Sequence, residues 1–264
     1  MSLRALALAA AVSFGALTAS TLALTPVLAQ AETAPLTMEE LLAATSLDEV
    51  FTQFGAGIAA APKEQGMPFV GAQEAAWQEA VQASFDPDRM HADLARRFSN
   101  QFDPEDIEVF GAFYRSEFGE IISTVERAAT VMPPDQQMAA REAGMAMAEA
   151  TDERRKAQIE EMLKLVSADI TTAIVRQSVR GMLIGMTLAN AGDIEVPWEE
   201  IDKHLDTIMP AIEADVQLTQ RAMMYFGYAS LTEADLDRYL EFLRTNSAQK
   251  LYAIAAYSIG EIIA

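Results

Sequence analysis

One stretch of this chain is written twice. Residues Phe102 to Ser116 align without a gap on Leu231 to Thr245. Each copy has an apolar lead-in (Phe102, Leu231), a capping residue (Asp103, Thr232) and an acid in the first turn (Asp106, Asp235). An apolar stripe follows: Ile107, Phe110, Phe113 and Tyr114 in the first copy, and Leu236, Tyr239, Phe242 and Leu243 in the second. Both copies close on an arginine and a hydroxyl residue, Arg115-Ser116 and Arg244-Thr245. A short helix with one apolar stripe must cover it, and a chain carrying two can cover one with the other. Upstream, the two tryptophans fall in corresponding places, Trp77 before the Asp86-Pro87 start and Trp198 before Pro210. The longer run from Pro210 to the second copy predicts a longer helix there. The organisation expected is two helical modules, residues 36–132 and 133–264.

The remainder has helical period throughout, and no alternating run of β-branched and aromatic residues suggests a sheet. The fold class expected is all-α, a multi-helix bundle. Thr37-Met38-Glu39-Glu40 and Ser46-Leu47-Asp48-Glu49 both match the capping box, in which a hydroxyl and a carboxylate satisfy orphan amides reciprocally. Asp86-Pro87 and Asp103-Pro104 place an acceptor at the cap and proline where its missing donor costs nothing. Pro68 with Gly71, Pro133-Pro134, and Gly192 through Pro197 divide the blocks. The long block from Asp135 to Ala191 is expected to break or kink at Thr151-Asp152.

The first residues follow a different rule: one cation at Arg4, an uncharged stretch from Ala5 to Leu28, and the small-residue site Val27-Leu28-Ala29. This is the pattern of a secretory signal cut after Ala29, so residues 1–29 are expected to be removed and the protein to reside in the periplasm. An uncleaved anchor is the rival reading, opposed by the weakly hydrophobic Ala, Ser and Thr content, Gly15 and Pro26. Gly181 to Ala191, the most apolar later stretch, is too short to span a bilayer.

The duplicated segment also carries a family resemblance. An apolar residue, a cap, an acid, then Phe113-Tyr114-Arg115-Ser116 followed by Gly119 resembles the C-terminal signature of the bacterial envelope family called domain of unknown function 2059. The likeness runs from Trp77 to Ala128 and, more weakly, from Trp198 to Ile259. That family commonly has proline and glycine after the serine, where this chain has Glu117-Phe118 and, in the second copy, Asn246-Ser247 after Thr245. The resemblance implies an exported helical protein and brings no catalytic residue with it.

Composition removes several chemistries. Without cysteine there are no disulfides, thiolate metal sites or cysteine nucleophiles. A formal net charge of -20 opposes binding to nucleic acid or anionic lipid, which are held chiefly by clustered Lys and Arg. No nucleophile elbow, phosphate-binding glycine motif or His-Glu-x-x-His occurs. His204 shares a helical face with Glu200, and His91 lies near Asp88; both are expected to be ordinary surface histidines. Of 14 methionines, Met182 with Met186 and Met138 with Met145 share helical faces, a spacing open to copper(I) but expected to serve as core filling. The paired acids Glu39-Glu40, Glu160-Glu161, Glu199-Glu200 and Asp235 with Asp237 read as caps and solvated surface. Arg115 and Arg244 are expected to stabilise helix C-termini, an anion site being the alternative. No catalytic, cofactor-binding or metal-binding residue is nominated. The expected function is a non-enzymatic binding or protein-interaction module of the envelope that takes a protein or apolar ligand between its helices. The alternatives are an envelope hydrolase using a carboxylate pair, and methionine-based copper binding.

Overall fold

The structure is a computed structural model, and it describes residues 34–64, 69–166, 175–176, 179–181, 183–184 and 198–263. The signal-like segment, Met182, Met186 and the Gly192–Pro197 break lie outside the described residues. The fold is all-α. In chain order the helices are α1 (Met38–Ala44), α2 (Leu47–Glu64), α3 (Ala72–Ser84), α4 (Pro87–Phe98), α5 (Pro104–Tyr114), α6 (Glu117–Thr130), α7 (Pro134–Ala150), α8 (Glu153–Leu165), α9 (Trp198–Gly227), α10 (Glu233–Leu243) and α11 (Asn246–Ile263). A 3-10 turn, Tyr228–Ser230, joins α9 to α10. No described helix is long and apolar enough to cross a membrane.

Most starts follow their written caps. Thr37 and Glu40 close a capping box at α1, and Asp86 accepts from the Arg89 amide at α4. Asp103 pairs with Asp106 at α5, and Thr232 with Asp235 at α10. Thr151-Asp152 separates α7 from α8, with Asp152 as the cap. Two expectations need correction. Ser46 begins α2 without a capping box: it takes a left-handed φ of 54°, and its buried hydroxyl has no hydrogen-bond partner among the described residues. The tight reversal out of α1 holds Ser46 by its backbone instead, through its amide on the Ala43 carbonyl. Pro210 does not start a helix; it lies inside the 30-residue α9, which begins at Trp198. The second stretch is preceded by a longer helix, in which Trp198 shares α9 with Pro210, whereas Trp77 lies on α3 and Pro87 on α4.

The two aligned stretches take one local geometry. α5 and α10 are both 11 residues long, with capping boxes at one end and Arg115 or Arg244 at the other. Ser116 and Thr245 each donate a hydroxyl to the carbonyl three residues back, of Phe113 or Phe242. Each then accepts the amide three residues ahead, of Gly119 or Ala248. Two residues, Arg115-Ser116 in one stretch and Arg244-Thr245 in the other, thus lead straight into α6 and α11. Packing is reciprocal as well: α4 lies against α11, and α9 against α6. At the centre Phe113 and Phe242, aligned residues, stack face to face with centroids 3.7 Å apart and planes 5° apart. One apolar core runs from Leu36 to Ile259 through both copies, and a second, containing Val175, Val179, Ile201, Leu205 and Val216, lies along the first half of α9.

The two arginines do sit at helix C-caps, but their guanidinium groups go to carboxylates. Arg115 bonds Glu40 at 2.9 Å and the Ala34 carbonyl, and Arg244 grips Glu161 through two bonds of 2.7 and 2.8 Å. The Arg244–Glu161 pair is half-exposed on both sides, so most of its Coulomb attraction is screened. Arg244→Ala is expected to cost less than about 1 kcal/mol, with the loss shrinking in high salt; urea unfolding at two ionic strengths checks this.

Candidate functional site

Two features stand out after the caps and ion pairs are accounted for. The first is an apolar groove with two lobes of about 690 and 570 Å³. Helix α6 builds the shared wall, because Ala128 and Val131 at its C-terminal end line both lobes. The end of α1 (Ala43, Ala44), Tyr114 and the α6 residues Glu120, Ser123, Thr124 and Arg127 complete one lobe. Met132, Pro133, Phe226 and the α7 residues Gln136, Ala139, Ala140 and Ala143 complete the other. Small side chains on α7 leave this space because a row of alanines fills little volume between helices. Val131 and Met138 are exposed beside it. Arg127, the one cation lining the groove, is held by Glu49 and the Ala43 carbonyl.

The second feature is a buried carboxyl. Glu126 lies on the inner face of α6, in the same stripe as Phe118, Ile122, Val125 and Ala129, and is 3% exposed. Its Oε1 accepts from the hydroxyls of Tyr228 at 2.8 Å and Tyr239 at 2.5 Å. The Tyr239 hydroxyl in turn lies 2.9 Å from that of Tyr252. Tyr114 on α5, which also lines the groove, completes the surroundings. Burial pushes the Glu126 carboxyl up to about 7, against the opposing pull of the hydrogen bonds from Tyr239 and Tyr228. The same burial raises Tyr114, Tyr228, Tyr239 and Tyr252 and keeps them protonated.

The paired and buried acids are engaged in caps and ion pairs or lie exposed. Asp106 is buried, but it caps α5 and takes Lys250 at 2.5 Å; burial would raise its carboxyl, yet the bonds from Lys250, Ser247 and the Asp103 amide hold it low. Glu40 caps α1, Glu160 pairs with Arg221, Glu161 with Arg244, Asp235 caps α10, and Asp237 takes Arg154 and Gln158. Glu199 and Glu200 are exposed on the first turn of α9. The carboxylate pair a glycosidase needs is therefore not assembled around Glu126, whose contacts are tyrosines. His204 and Glu200 are exposed, and His91 is half-buried. No group of three or more His, Cys, Asp or Glu side chains among the described residues converges as a metal site. Met138 is exposed on α7, whereas Met90, Met162, Met209 and Met224 fill cores.

Sequence reading missed Glu126, and a signal for it existed. In the apolar spacing Phe118, Ile122, Val125, Ala129, an acid at position 126 falls on the buried face. Of the tyrosines around it, Tyr228, Tyr239 and Tyr252 come from three later elements and Tyr114 from the preceding helix, so no helical spacing announces them. No protein-family model, curated protein or solved structure matches this chain.

Proposed function

We propose that this chain is an exported, periplasmic, non-enzymatic binding module that takes an apolar ligand or an apolar segment of a protein in the groove along α6 and α7. The groove is the observation that carries it: two adjoining lobes, one walled by alanine and valine with a polar side of Glu120, Ser123, Thr124 and Arg127, the other by alanine, valine, Met132 and Phe226, with no carboxylate pair among the residues that line either. Export rests on the signal-like first 29 residues, and N-terminal sequencing of protein recovered from the periplasm should begin at Gln30. The matching capping boxes and equal length of α5 and α10, with α4 packed against α11 and α9 against α6, support an origin by duplication of a module like that of domain of unknown function 2059.

Binding is tested with the neutral apolar dye 1-N-phenylnaphthylamine. Wild type should bind it, and Ala128→Arg, which puts a long charged side chain where both lobes meet, should weaken binding by more than about tenfold. Equal affinity in the folded variant would overturn the reading.

A further inference from the structure

We propose that Glu126 is a proton-operated latch: neutral, it joins α6 to the C-terminal helices, and ionised, it loosens them. The carboxyl is enclosed, and its hydrogen-bond donors come from outside α6, Tyr228 from the turn after α9 and Tyr239 from α10, with Tyr252 of α11 behind them. Every titratable group that shapes it is a phenol. Tyr114 faces it from α5, while the other acid buried on that helix, Asp106, is neutralised by Lys250 of α11. From α10, Asp235 and Asp237 are taken by the cap and by Arg154, and Arg238 lies over the Phe118 ring. From α8, Arg155 spends its guanidinium on the Tyr228 and Leu231 carbonyls. From α2, Glu49 pairs with Arg127.

A carboxyl so placed has two states of very different cost. Neutral, it keeps both phenolic bonds at Oε1 and buries no charge; ionised, it is a buried charge without a countercharge, and two phenolic donors replace only part of its hydration. To be hydrated, the charged group must lose its contacts with the Tyr228 turn and α10, the elements that donate to it. The upward displacement of its titration into the neutral range is what this geometry requires. Because α6 also forms the shared wall of the groove, loosening it should change the groove; this coupling rests on the binding reading above.

The test follows three quantities in the full chain between pH 5.5 and 8.5: the Glu126 side-chain carbon-13 resonance, hydrogen exchange of α6 amides corrected for intrinsic rates, and dye affinity. In wild type the resonance should titrate, and α6 protection should fall by about tenfold or more over the same interval. Glu126→Gln should remove the pH dependence of protection. Tyr239→Phe, which deletes a donor to the charged form, should move the titration to higher pH. The latch is overturned if Glu126 ionises while α6 protection stays flat, or if protection falls equally in Glu126→Gln. Dye affinity that stays constant while protection changes overturns the coupling alone, whereas absence of dye binding at every pH overturns the groove reading and leaves the latch standing.

Discussion

Gly144→Ala should destabilise the protein by about 3 kcal/mol or more, measured as a shift in the urea midpoint. A Cβ built at Gly144 would lie 1.9 Å from the Ala222 carbonyl oxygen and 2.6 Å from its carbon. Those are backbone atoms of α9, so no rotamer change can relieve the contact; α7 and α9 must move apart along their shared face. Gly119→Ala should be similarly severe, since its Cβ would fall 2.0 Å from the Phe113 carbonyl oxygen and 2.7 Å from that carbon, inside the tight link from α5 to α6. Gly111→Ala is the control. Its Cβ meets only Leu36 at an ordinary 3.6 Å, so the helix-propensity gain of up to about 1 kcal/mol should dominate. A uniform effect across the three glycines would show that close approach is not what selects them.

The second large effect is a pH dependence of opposite sign to common acid denaturation. Glu126 ionises near 4.5 when unfolded and near 7 when folded, so between those values the folded chain holds a proton that the unfolded chain has released. The stability from neutral Glu126 is therefore complete below about 4.5 and is lost as pH rises through about 7, amounting to about 3 kcal/mol. Glu126→Gln should be more stable than wild type at pH 8.5 by up to this amount, and the advantage should vanish by pH 4.5. Glu126→Ala should be damaging at low pH, where it removes the acceptor that the Tyr228 and Tyr239 hydroxyls share and opens a cavity beside them. Unfolding free energies across pH for the three proteins check both statements; parallel wild-type and Gln profiles would refute the assignment. Asp106 acts in the other direction. Its carboxyl is held below the ordinary range, so its contribution is present above the unfolded value and is lost as pH falls through the folded one. Stability should thus fall on both the acid and the alkaline side.

Local signals carried the helical architecture because caps and stripes act over three or four residues. Asp103, Asp86, Thr37 and Thr232 each cap the helix their spacing announced. The same logic misread Ser46 and Pro210, where tertiary packing overrode a local preference: a reversed turn at one, and a long helix supported by its buried face at the other. Arg115 and Arg244 were placed correctly as terminators, yet their partners Glu40 and Glu161 lie about 80 residues earlier, beyond any periodicity.

The two aligned segments by themselves determined two helices of equal length, their caps, and the stripes they must bury, since these depend on neighbours along one helix. Only the tertiary structure decided that Phe113 would stack on Phe242, that an acid on one apolar stripe would meet tyrosines from three later elements, and that α6 and α7 would leave a groove between them. The reason is physical: capping and amphipathicity are energies of adjacent residues, whereas the ionisation of a buried carboxyl and the shape of a groove are set by whichever distant side chains close around them.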